Sequence, residues 1–257
     1  MKYFIVSLSC LFTSQAFSVT TLSTRNVEYG TTEKYEGYLA EPKNSKSLLP
    51  AILLVHNWMG ITDETKKQVH RFAELGYIVM AADIYGKGQR PKDQKEATKF
   101  ATTYKTDRKL YREHLNSALD RLLAEKNVNK SKIAAAGYCF GGTGAIELAR
   151  SGAGLLGVIS FHGGLDSPFP EDGKNIKGKI LALHGALDPF VAQNDVSAFE
   201  VEMKTYSIDY QLVKYGNTVH SFTEKAAGND ISKGAAYSES SDRRSFEAAQ
   251  DFLKEIF

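Results

Sequence analysis

The sequence predicts an α/β fold, a mostly parallel sheet with helices on both faces. Three observations carry this expectation. The runs AILLVH at 51–56 and KIAAAG at 132–137 are apolar at consecutive positions, the pattern of strands buried on both sides. Segments 62–75 and 107–126 instead place apolar residues at helical spacing, with Leu115, Leu119, Leu122 and Leu123 on one face of the second. Strands and helices then alternate along the chain, the order that parallel strands with helical crossovers require.

Taken in order, the chain opens on Lys2, the apolar run YFIVSLSCLF at 3–12, and small residues at Ser14, Ala16 and Ser18. This reads as a secretory signal over 1–18, cleaved after Ala16 or Ser18, leaving one α/β domain over 19–257 in the periplasm or outside the cell. The alternative is an N-terminal core strand. The run is too short to span a bilayer, and Cys10 lacks the leucine of a lipoprotein site, so no stable membrane anchor is expected after cleavage. Residues 25–29 and 34–40 form an opening hairpin around Gly30, and 44–50 is a loop. The strand at 51–56 feeds the helix at 62–75, which stops at Gly76 before a second strand at 77–83. Residues 84–106 are rich in Lys, Gly and Gln and read as an exposed excursion with a short helix, with 85–91 as its loop. The helix at 107–126 leads into the strand at 132–137, further strands follow at 157–161, 179–184 and 210–215, and 241–257 closes the chain as an amphipathic helix.

Composition narrows the function. With 32 basic against 30 acidic residues the net charge is +2, so no bulk field attracts nucleic acid or acidic lipid. Removing the signal removes Cys10 and leaves Cys139 as the lone thiol, which rules out an intrachain disulfide. A lone cysteine in an exported protein is either deeply buried or has a chemical task.

The stretch IAAAGYCFGGTGAIE at 133–147 points to the task. A buried strand reaches Gly137-Tyr138-Cys139-Phe140-Gly141 and turns directly into a helix, the arrangement of a nucleophile elbow with cysteine in the serine position. The amides at the helix start favour a thiolate, and the Phe140 amide can face an oxyanion. The competing reading is a buried cysteine packing as a small apolar group. Six histidines compete as base. His70 and His114 fall within helices and read as solvated; His56, His162 and His184 end strands and read as loop-shaping or wall residues. His220 follows the strand at 210–215 in the loop NTVHSF, where such a sheet delivers its base. The acid is expected after the penultimate strand, where ILALHGALDPF places Asp188; a turn aspartate before Pro189 is the alternative. The order nucleophile, acid, base is that of α/β-hydrolases and differs from papain-like enzymes. A second oxyanion donor is expected from HNWMG, with the Trp58 amide as candidate and its indole either walling the pocket or packing in the core.

Through LLVHNWMG, AADIYG, GYCFGG, LHGALDP and HSF, in that order, the sequence from about Val27 to the C-terminus resembles the dienelactone hydrolase family. The resemblance implies an α/β-hydrolase fold, no metal or cofactor, and a triad of Cys139, Asp188 and His220. It also implies three pocket positions. Family members that act on dienelactone carry glutamate at Asn57, arginine near Lys87 and arginine at Glu224, where the arginines hold a substrate carboxylate. Glu224 argues against a small anionic lactone, and Lys87 alone, a mobile point charge on a loop, reads more readily as a solvated lysine. The expected function is hydrolysis of small-molecule carboxylic esters or lactones, not dienelactone itself, through an acyl-enzyme. Thioester hydrolysis, a secreted binding protein that kept the fold without turnover, and a thiol-redox protein lacking a C-x-x-C partner are the alternatives.

Overall fold

The computed structural model describes residues 20–257 except 44 and 46. The signal read at 1–18 lies outside the described residues. Strands β1 (Leu22–Tyr29), β2 (Tyr35–Pro42), β3 (Leu49–Val55), β4 (Ile78–Ala82), β5 (Val128–Tyr138), β6 (Gly157–Phe161), β7 (Lys179–Gly185) and β8 (Tyr210–Tyr215) form one sheet in the order β1-β2-β4-β3-β5-β6-β7-β8. β2 pairs antiparallel with both β1 and β4, and every other neighbouring pair is parallel. The chain runs outward from β3 to β4, then crosses back to β5 and continues the other way. The crevice between the carboxyl ends of β3 and β5 is therefore a topological switch point, where open α/β sheets bind ligands.

Each strand is buried on both faces because helices cover both. Ala51, Leu53 and Val55 of β3 face one apolar cluster, and the alternating Ile52 and Leu54 face the other. The first cluster is closed by α2 (Gln94–Thr106), α3 (Arg108–Leu123), α4 (Phe140–Arg150) and α5 (Gln193–Thr205). The second is closed by α1 (Asp63–Ala73) and α6 (Glu239–Ile256), through Val69, Phe72, Phe252 and Leu253. α1 starts at a reciprocal cap between Thr62 and Thr65.

Two expectations need correction. The excursion at 84–106 is not exposed: Ile84 and Tyr85 are buried, and α2 is a 13-residue helix that buries Ala97, Ala101 and Tyr104. Its sparse apolar residues fall on one face, so low overall hydropathy hid a docked helix. The helix α5 between β7 and β8 was not anticipated, because its charged residues dilute the stripe formed by Val196, Phe199 and Met203.

A buried charge network anchors α4 at its far end. Arg150 is fully buried, pairs with both carboxylate oxygens of Glu202 on α5 at 2.5 and 2.9 Å, and bonds Glu147 at 2.8 Å. Glu147 also accepts from Arg112 on α3 at 2.8 Å. Paired this way, the charges fix how three helices meet, since leaving any one of them unpaired in the interior is costly.

Candidate active site

The site begins at the end of β5. Cys139 has φ 55°, ψ −117°, a left-handed conformation that costs energy for a side chain with a Cβ. Its neighbours make the turn possible. A Cβ on Gly137 would run into the Gly141 carbonyl, and one on Gly141 into the Val55 carbonyl of β3, so both positions need glycine for the strand and helix to close so tightly. The Cys139 amide is tied to the Phe161 carbonyl at 2.9 Å, and α4 starts at the next residue. The thiol thus stands at the positive end of α4, over the crevice beside β3.

His220 and Asp188 arrive from the loops after β8 and β7. His220 Nε2 lies 3.0 Å from Cys139 Sγ, and its Nδ1 lies 2.7 Å from Asp188 Oδ2. Asp188 Oδ1 accepts the Phe190 amide at 2.9 Å, so both carboxylate oxygens are used. The backbone of His220 is held too: its N–H donates to the Gly234 carbonyl and its carbonyl accepts from the Ala236 amide. Burial alone would lower the His220 pKa. The Cys139 sulfur and the Asp188 carboxylate overcome it and hold the imidazole up to about 10.

The two amides expected to face an oxyanion remain available. Among the described residues neither the Phe140 nor the Trp58 N–H donates to a protein acceptor. The next amide, Met59, is taken by Asn57 Oδ1 at 2.9 Å, and the Trp58 carbonyl accepts from the Tyr85 hydroxyl at 2.9 Å. The Trp58 side chain is partly buried against the core.

The three pocket candidates separate. Asn57 Nδ2 donates to Glu224 Oε1 at 2.9 Å, joining the β3 loop to the His220 loop. Burial raises the Glu224 pKa, while the Asn57 bond and the nearby His220 charge pull it back. Lys87 is half-exposed and pairs with Glu28.

His70 and His114 are not the solvated residues expected. His114 is buried, its Nε2 3.0 Å from the Tyr35 hydroxyl and its Nδ1 2.8 Å from the Ile84 carbonyl, and His70 bonds Tyr38 at 2.7 Å. Both helices pack these rings on the β1–β2 hairpin, contacts that helical spacing alone does not reveal. His56 is fully buried, its Nδ1 2.5 Å from the Asn57 carbonyl, with its pKa lowered by burial to about 4. His162, at φ 40°, is also fully buried, and its Nε2 lies 2.8 Å from Thr223 Oγ1. Its ring meets that of His220 edge-on at 5.2 Å. Burial and the His220 charge push its pKa well down, so it stays a neutral prop beneath the His220 loop. Phe190 was not anticipated: its ring lies 5.4 Å from His220 at 82°, yet it is 63% exposed. Its place directly after Asp188-Pro189 was the only signal.

The family model for the dienelactone hydrolase family matches residues 35–257. The chain belongs to the dienelactone hydrolase family. A Caenorhabditis elegans protein of uncharacterized activity is 34% identical over 148 residues, covering 56% of this chain and 92% of that one. A Bradyrhizobium protein named "Probable 2-oxo-3-(5-oxofuran-2-ylidene)propanoate lactonase" is 27% identical over 210 residues, covering 77% and 83%. The crystal structure of a dienelactone hydrolase-like promiscuous phosphotriesterase from metagenomic libraries superposes with a TM-score of 0.86 at 33% identity, covering 92% of this chain and 99% of the other. As a dienelactone hydrolase family member the chain is a hydrolase, of the kind that acts on lactones and esters.

Proposed function

We propose that the protein hydrolyses carboxylic esters or lactones through Cys139 as nucleophile, His220 as base and Asp188 as the group that orients the base. The observation that carries this reading is the continuous line from Asp188 Oδ2 through both His220 nitrogens to Cys139 Sγ, at 2.7 and 3.0 Å. The thiolate attacks the carbonyl carbon, and the electron pair moves to the carbonyl oxygen, which the Phe140 and Trp58 amides stabilise. Collapse of this intermediate expels the alcohol, protonated by His220, and leaves a thioester on Cys139. A water molecule, deprotonated by His220, then releases the acid and restores the thiol. Dienelactone itself is disfavoured, because Glu224 and Asn57 offer its carboxylate no positive charge. The lysine, apolar run and small-residue site at 1–18 support action in the periplasm or outside the cell.

The test is a panel of neutral esters, thioesters and lactones with dienelactone included. Cys139→Ala, with the largest effect, and His220→Ala should lower kcat by roughly 10⁵-fold or more, and Asp188→Asn by roughly 10⁴-fold, with circular dichroism unchanged. A neutral ester should outrun dienelactone in kcat/KM. Full activity in Cys139→Ala removes the nucleophile, and inactivity of the native protein across the panel favours the binding-protein reading.

A further inference from the structure

We infer that Glu224 sorts substrates by charge, making the mouth of the thiol site a subsite for the ammonium group, quaternary ammonium included, of an ester substrate. This rests on the hydrolytic reading above and adds to it the class of molecule hydrolysed.

The placement comes first. Glu224 stands four residues beyond His220 in the same loop, in a turn closed by its own amide donating to the Ser221 carbonyl at 2.9 Å. Its Oε1 accepts from Asn57 Nδ2 at 2.9 Å, so the carboxyl group bridges the loop that carries the base and the loop that carries Trp58. The Asn57 Oδ1 accepts from the Met59 amide at 2.9 Å, which holds the side-chain amide in place. Glu224 Oε2 accepts no hydrogen bond from the described residues, and it is not among their sealed, unpartnered polar atoms. One oxygen is therefore tied to the Asn57 loop, and the other keeps some exposure without a protein donor.

Charge gives the second half of the case. Among the described residues no lysine or arginine forms an ion pair with Glu224. Lys225, the next residue in the chain, lies over the Tyr237 ring at 5.8 Å, Arg71 pairs with Asp242, and Lys87 pairs with Glu28. The imidazole of His220 is already matched by Asp188 and the thiol. Glu64, at the start of α1, acts on Glu224 as a like charge, partly offset by its own pairing with Lys67 at 3.4 Å. Glutamine at 224 would bridge to Asn57 equally well without the cost of desolvating a carboxylate. The one protein charge that acts on this carboxylate as a counter-ion, the His220 imidazolium, is shared with Asp188 and the thiol, which leaves Glu224 able to favour a cation carried by the substrate.

The test uses the Cys139 thiol as its reporter, so it does not depend on turnover. Rates of modification by a trimethylammonium-bearing and a sulfonate-bearing methanethiosulfonate are compared in native protein and Glu224→Gln at low ionic strength, with mass mapping to Cys139. The cation-to-anion rate ratio should be about tenfold higher in the native protein. Glu224→Asp, which keeps the charge, should retain most of that preference, and circular dichroism of each variant shows whether it is folded. Equal ratios in folded native and Glu224→Gln proteins overturn the proposal. In a second arm, kcat/KM for a choline ester relative to its neutral carbon isostere should fall by a similar factor in Glu224→Gln. Hydrolysis of both esters without discrimination overturns charge sorting and leaves the hydrolytic reading standing. No hydrolysis of either ester, together with a Glu224-dependent thiol ratio, overturns the hydrolytic reading and leaves the charged subsite.

Discussion

His220 sits between two opposing effects, and the attraction of its partners wins. Desolvation alone would make it neutral, yet the sulfur at 3.0 Å and the carboxylate at 2.7 Å hold its pKa up to about 10, against an ordinary value of 6.5. Because the folded value is raised, its contribution to stability is fully present below about pH 6.5 and is lost as pH rises through about 10. Native protein should therefore lose more Tm than His220→Ala between about pH 7 and pH 10, by a few °C, equivalent to about 1–3 kcal/mol. Thermal melts of both proteins across that range measure it, and parallel curves would show that the imidazole is not charged in the folded state. The comparison matters because buried tyrosines such as Tyr111, whose pKa burial raises well above normal, also lose stability in alkali, and they do so in both proteins. Cys139, Asp188 and His220 could be named from sequence because each follows a strand end in a fixed order. The Asn57 to Glu224 bond could not, since it joins side chains 167 positions apart.

At the level of elements, α4 is held at both ends by different physics. Its start depends on glycine, with Gly137 and Gly141 letting backbone meet backbone around the Cys139 turn. Its end depends on charge, with Arg150 inserted between Glu147 and Glu202 at 0% exposure. Arg150→Met fits the space but leaves two buried carboxylates short of their cation, so it should cost about 3–5 kcal/mol in urea unfolding. Arg150→Met combined with Glu202→Leu should recover part of that loss, because the second change removes one orphaned charge. An Arg150→Met protein as stable as native would mean the network adds nothing to the fold. The glycine pattern was visible in the sequence. The network was not: Arg150, Glu202 and Arg112 lie on three helices, and nothing in their local sequence distinguishes them from solvated charges.

Across the whole molecule, the sheet brings loops from three regions of the chain to one edge: Asn57 and Trp58 after β3, Cys139 after β5, and Asp188 and His220 after β7 and β8. The first residues bear on where this assembly works. Protein isolated from its native host should begin after Ala16 or Ser18 and be found outside the cytoplasm, which intact-mass measurement of fractionated cells reads directly. Retention of 1–12 in the mature protein would show that the apolar run belongs to the structure and is not a targeting signal.

The sequence by itself determined the alternation of strands and helices, the parallel sheet, the elbow at Cys139 and the loops that carry Asp188 and His220. These are written in local patterns, apolar period, glycine spacing and order along the chain, which act over a few residues and survive reading in one dimension. Only the tertiary structure decided that His114 and His162 are buried supports, that α2 docks on the core, that the Phe190 ring meets His220 edge-on, and that Glu224 closes onto Asn57 with one oxygen free of a protein donor. Each of these follows from which faces meet after the strands are ordered in space. Two side chains distant in sequence exchange a hydrogen bond or lose their water only when the sheet has brought their loops to the same edge.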